Sequence, residues 1–156
     1  MSNVLSASLA VPVWFRVADH TGSGWLWRAR VGEAVLRLTA ARLLVAAVPF
    51  GYWRGWLGVI GTGDRPGAGA DTETLLLARA VQRGAARLPF ATKCLPRAVA
   101  LHTMLRRRNR PSQLVLGVLD SSLRGSLDDL HAWVQSRGDV VIGALDQPFH
   151  PLIRFE

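Results

Sequence analysis

Apolar residues recur at helical spacing in three stretches of the chain and as short continuous runs in three others. In the first stretch Val35, Leu36, Leu38, Leu43, Leu44 and Val45 alternate with Arg37 and Arg42 between Val31 and Val48, where Pro49 closes the run. This spacing predicts one amphipathic helix. The second follows Asp71-Thr72-Glu73-Thr74, whose side chains can cap a helix start, and carries Leu75, Leu76, Leu77, Ala80, Val81 and Ala85 toward an end near Pro89. The third runs through Leu95, Pro96, Ala98, Val99, Leu101, Met104 and Leu105 with the period of a half-buried helix. Proline is tolerated only in a first turn, so Pro96 puts the helix start at Cys94. Arg106-Arg107-Arg108-Asn109-Arg110-Pro111 is stop chemistry. Four arginines exceed what capping needs, which leaves open an acidic-peptide or partner-docking patch.

The apolar runs predict strands. Gln113 to Leu119 reads as a buried strand and residues 120–125 as an exposed loop. Ala132 to Gln135 and Val140 to Ala144 flank Ser136-Arg137-Gly138-Asp139, a hairpin signal. With Arg137 and Gly138 as the turn pair, Ser136 faces Asp139 and the ladder counts back to His131 opposite Ala144. The two-residue period then puts His131, Ala144 and Asp146 on one side, with Asp146 diagonal to His131, and Asp139 on the other. Asp128 and Asp129 are the rivals to Asp146 if the register slips by one residue.

Between the first and second helical stretches, Gly61 to Ala70 is rich in glycine and reads as a linker. It divides a helical arm with its linker, 1–70, from a body, 71–156. Its glycines are too irregular for a phosphate-binding loop, and no Gly-Lys-Ser/Thr follows them, which excludes a nucleotide loop. At 156 residues the chain supports one well-buried core and is too short for two ordinary domains. Nineteen Lys and Arg against eleven Asp and Glu give a net charge of +8. Such a surface favours an acidic peptide, anionic lipid or nucleic acid. The arginine run has no interleaved aromatic to stack bases, which sets nucleic acid below the others. The apolar stretch from Leu43 to Trp53 falls short of the ~20 residues a membrane span needs. It fits a core or docking helix, or a basic, tryptophan-bearing helix lying on a membrane surface. The single cysteine allows no internal disulfide and no thiolate cluster for zinc, so no metal site is expected. Met1-Ser2-Asn3 lacks the positive start of a secretory signal, and a cytoplasmic location is expected.

Cys94 is the residue with chemical promise. At a helix start the free amides and the dipole favour thiolate over thiol, and Lys93 adds positive charge. The same amides can donate to an oxyanion in acyl transfer. A lone cysteine is otherwise a small buried hydrophobe, so position alone leaves both readings open. His131, opening His131-Ala132-Trp133-Val134, is the candidate base. A carboxylate on its imidazole, Asp146 by the strand register, would fix the tautomer and stabilise the imidazolium. His102, on the basic helix, reads as a surface or boundary histidine, and His20 and His150 have no catalytic context.

A helix-start cysteine, a strand, a His-Ala-Trp-Val strand and a return strand together resemble the transglutaminase-like branch of the papain-type thiol fold. That likeness implies an α+β fold, with the cysteine helix packed on a small antiparallel sheet carrying the histidine and an N-terminal helical arm in front. More narrowly, Leu88-Pro89-Phe90, Cys94-Leu95-Pro96-Arg97-Ala98, Leu105-Arg106-Arg107-Arg108, Leu114-Val115-Leu116-Gly117-Val118, His131-Ala132-Trp133-Val134 and Val141-Ile142-Gly143 are similar to the lasso peptide biosynthesis B2 proteins. These are leader peptidases that cleave a lasso peptide precursor. The likeness covers about residues 72–156. It implies Cys94 as nucleophile and His131 as general base. Some members carry an aspartate about where this chain has Gly143-Ala144, so the third role shifts to Asp146 or is filled elsewhere. The likeness also implies partners: the precursor leader peptide, a separate leader-recognition protein and a lasso cyclase. No cofactor is expected to bind directly, and any ATP dependence would arise through the complex. The competing readings are a transglutaminase-like acyltransferase and a non-enzymatic basic adaptor docking on an acidic peptide or a membrane surface.

Overall fold

The computed structural model describes residues 24–61, 67–120, 125, 129–144 and 147–156. Helix α1 (Gly24–Ala47) buries Val31, Ala34, Leu38 and Ala41, a stripe at the spacing of one helix face. Pro49 cannot continue its hydrogen-bond ladder. The chain turns there into the short helix α2 (Phe50–Trp53) and a 3₁₀ turn over Arg54–Leu57. The Trp53 indole N–H donates to the Val48 carbonyl at 3.1 Å and fastens the corner. Helix α3 (Thr72–Ala85) starts at the expected cap, where the Asp71 carboxylate accepts from the Thr74 amide at 2.9 Å. Such a cap is typically worth ~1 kcal/mol. Helix α4 (Cys94–Arg106) begins at Cys94, as Pro96 requires. The helices approach closely at Gly84, where a Cβ would lie 3.3 Å from that of Ala34.

Strands β1 (Gln113–Leu119), β2 (Leu130–Ser136), β3 (Asp139–Ile142) and β4 (Phe149–Phe155) form one sheet in the order β3-β2-β1-β4, with every neighbouring pair antiparallel. The β2-β3 turn is the expected one, with Arg137 at φ 50° and Gly138 at φ 90°. Two positive φ angles are the mark of a type I′ turn. Ser136 pairs with Asp139 and Gln135 with Val140, but a bulge follows and Val134 pairs with Ile142. The simple count that set His131 opposite Ala144 is therefore corrected by one residue. Asp146 and Asp128 lie outside the described residues.

The helices cover one face of the sheet, with α4 central and buried almost all round. One hydrophobic core contains Val31 and Leu38 of α1 together with Leu77, Leu101, Met104, Leu114, Val134 and Phe155. The glycine-rich stretch marks a change in composition, and the core runs across it.

One expectation for α4 is corrected. His102 is fully buried rather than at the surface. Its Nε2–H donates to the Leu57 carbonyl at 2.8 Å, and the Ser112 hydroxyl lies 3.0 Å from Nδ1. The arginine run is largely an internal clasp. Arg108 binds Glu33 of α1 at 2.6 Å. Arg110 binds Asp71 at 3.1 Å and Glu73 at 2.5 Å. Arg106 donates to the Trp56 carbonyl at 2.7 Å. The Arg108 bond holds the Glu33 carboxyl below its ordinary range despite partial burial. Pairs this exposed are each worth up to ~1 kcal/mol, so they orient the helices more than they stabilise them. Among the described residues no helix is long and apolar enough to cross a membrane.

Candidate active site

Cys94 is the first residue of α4. The preceding Lys93 is extended and supplies no side-chain cap, so no cap competes for the first-turn amides. The thiol is half-buried and lines one cavity with His131, which α4 packed on β2 brings to it. Burial pushes the Cys94 thiol up. The His131 bond, the Ala132 amide, the imidazole charge and the Leu95 amide together outweigh burial and set the thiol below its ordinary value. Conversely, the bond to Cys94 raises the His131 imidazole, burial lowers it, and the bond to the Gly143 carbonyl raises it again, for a net rise. Each partner favours the charged form of the other.

The imidazole is held on three sides. Its ring stacks on Trp133 at 6.1 Å with an 18° interplanar angle and tilts against Phe149 at 5.1 Å. Nε2 lies 2.7 Å from the Gly143 carbonyl. A carbonyl only accepts, so Nε2 carries the proton of the neutral ring. Nδ1 is left with the lone pair that can take the thiol proton. Gly143 reaches this position with φ 82°, in the left-handed region that favours glycine. A Cβ there would lie 2.8 Å from the Ala132 carbonyl oxygen. An aspartate at 143 would strain this backbone, and a peptide carbonyl occupies the place on the ring where a carboxylate was expected. Trp133 has its own glycine, since a Cβ on Gly117 would sit 2.6 Å from its ring.

The aspartates weighed from the sequence are distributed as follows. Asp139 accepts from the Ala70 amide at 2.9 Å, and Asp129 accepts from the Gly125 amide at 3.2 Å. Asp146 lies outside the described residues. His150 pairs with Asp120 at 2.9 Å on the exposed β4. Cys94 and His131, paired on the sequence, line one cavity, while Gly143, Trp133 and Phe149, which support the ring, were not singled out. Gly143 left one sequence signal, a glycine directly after Val141-Ile142. Among the described residues no group of three or more His, Cys, Asp or Glu side chains could hold a metal ion.

A family model described as the transglutaminase-like superfamily matches residues 35–154, which include both Cys94 and His131. No curated protein and no solved structure matches the chain.

Proposed function

From the premise that the chain belongs to the transglutaminase-like superfamily, we propose that it is a cysteine peptidase that removes the leader from a lasso peptide precursor. The observation that carries the thiol chemistry is that Cys94 at the α4 start and His131 on β2 share the wall of one cavity. The motif likeness to the lasso peptide biosynthesis B2 proteins supports the choice of substrate, and with it a separate leader-recognition protein and a lasso cyclase as partners. Nothing in the chemistry below requires a cofactor of its own, and any ATP dependence belongs to the complex.

His131 Nδ1 takes the thiol proton, and the thiolate attacks the carbonyl carbon of the junction peptide bond. First-turn amides of α4 donate to the oxyanion. As the tetrahedral species collapses, the C–N bond breaks and His131 returns its proton to the departing core amine, leaving the leader as a thioester. Water, deprotonated by His131, attacks the thioester and frees the leader carboxylate and the thiol.

Cleavage of the precursor in the presence of the recognition protein, with a labelled amine added, tests this reading. Release of leader with a free carboxylate is expected. Label joined to a glutamine side chain with no leader released would make the chain an acyltransferase instead.

The pH profile of kcat/KM is expected to be bell-shaped. The ascending limb, where thiolate forms, should lie below the free-cysteine value of about 8.5. The descending limb, where the imidazolium is lost, should lie above the free-histidine value of about 6.5. These limbs belong to the coupled pair rather than to either residue alone. In His131→Ala the alkylation profile of Cys94 should shift upward. An unshifted profile would contradict the coupling.

The third role has a direct test. With the Gly143 carbonyl on Nε2, Asp146→Ala is expected to keep kcat/KM within about tenfold of wild type. Loss approaching the ~10⁴-fold typical of a triad aspartate would return that role to Asp146.

A further inference from the structure

His131 borders two cavities. One, of about 230 Å³, is walled by Trp133, Gln135, Val140, Gly143 and Phe149 and is not reached by Cys94. The other, of about 270 Å³, has Cys94 and His131 together in its wall. A carbonyl carbon attacked by the sulfur must therefore lie against this second cavity. Its remaining side-chain walls are apolar, formed chiefly by Val45, Val48, Phe50, Trp53, Leu116 and Leu130. Among the described residues no ionisable side chain but His131 and the thiol itself lines it, in a chain of net charge +8. The wall opposite the sheet comes from the α1–α2 corner, ahead of the glycine-rich stretch. That corner is firm: Trp53 is 2% exposed and bonded to the Val48 carbonyl. Phe50 meets the Trp53 ring edge-on at 4.9 Å and the Phe155 ring at 6.1 Å.

We propose that this cavity receives an apolar side chain of the substrate residue flanking the scissile bond, and that the α1–α2 corner determines the choice of that residue. The proposal rests on the thiol reading above and gives the N-terminal helix a role in specificity. An aliphatic or aromatic side chain entering the cavity exchanges water for apolar contact. A charged or amide side chain loses its hydrogen bonds to water there and, among the described residues, finds no side-chain partner beyond the Cys94–His131 pair. Burial of one side chain of leucine or phenylalanine size is worth ~10–100-fold in selectivity.

Alkylation of Cys94 in the full chain tests the cavity without requiring any peptidase activity. Rates with iodoacetamide and with N-isobutyl iodoacetamide are each divided by the rate with glutathione. The isobutyl reagent is expected to gain ~10-fold over iodoacetamide and to show saturation. Val48→Phe and Val45→Phe, which fill the cavity from two points, should each bring that ratio toward one. Rapid reaction with iodoacetamide but no gain for the isobutyl reagent overturns the cavity proposal and leaves the thiol reading standing. A gain that persists in both filled variants also overturns it. If neither reagent modifies Cys94 faster than glutathione, the activated thiol fails, and the subsite fails with it.

Discussion

Cys94→Ala and His131→Ala are each expected to reduce precursor cleavage by about 10³-fold or more, with the double variant no worse than the more damaging single one. Nucleophile and base act as one unit, so removing either removes the step that both perform. The two variants should nevertheless differ in a second measurement. Cys94→Ala leaves nothing to alkylate, whereas His131→Ala keeps the thiol but loses the hydrogen bond and charge that lower it. Its alkylation at neutral pH should slow toward that of a free cysteine. Neither change should unfold the protein, because both side chains are only partly buried and lie at the margin of the core. Melting temperatures within a few degrees of wild type are expected. Substantial cleavage by Cys94→Ala would refute the proposed function outright.

What the sequence disclosed about this site was local, and what it concealed was long-range. Pro96 fixed the start of α4 and with it the placing of Cys94, because a proline ring excludes every helical position beyond the first turn. Arg137-Gly138 disclosed the β2-β3 turn, since the pair sits where two positive φ angles are needed. The bulge beyond Gln135 left no comparable mark, and every inference about which residue opposes His131 passed through it. Strand β4 was not anticipated at all. Phe149-His150-Pro151-Leu152-Ile153-Arg154-Phe155 does not alternate cleanly, because a second bulge interrupts its pairing with β1 between Leu116 and Gly117. Pro151 also argues against a strand unless the strand lies near an edge, which this one does. The partners of Arg108 and Arg110 lie 75 and up to 39 residues away in sequence. A run of basic residues therefore looks solvated until the helices are assembled. The same holds for His102, whose acceptor Leu57 is 45 residues distant.

That buried histidine yields the largest expected effect on stability. Burial, only partly offset by the bond to Leu57 and reinforced by the nearby Arg106 charge, lowers the His102 imidazole from 6.5 to about 4. The ring is neutral in the fold, with Nε2–H on the Leu57 carbonyl and Nδ1 facing Ser112. A second proton would enter at Nδ1 and force the Ser112 hydroxyl to turn and accept. Between pH 6.5 and about 4 the unfolded chain binds this proton and the folded chain does not. The contribution of His102 is thus fully present above pH 6.5 and is lost as pH falls toward 4. The shift corresponds to about 3 kcal/mol, a large share of the 5–15 kcal/mol typical of a domain. The lowered carboxyls of Glu33 and Asp71 lose their contribution only at more acid pH, as each is protonated through its folded value. His131, raised in the fold, works in the opposite direction and loses its contribution as pH rises above 6.5. A fall in the urea midpoint between pH 6.5 and 4.5 is therefore assigned, among the described residues whose titration shifts on folding, to His102. In His102→Gln that fall should largely vanish, at the cost of ~1–3 kcal/mol at pH 7 from imperfectly replaced bonds. A variant whose midpoint falls as steeply as that of wild type would remove His102 from this role.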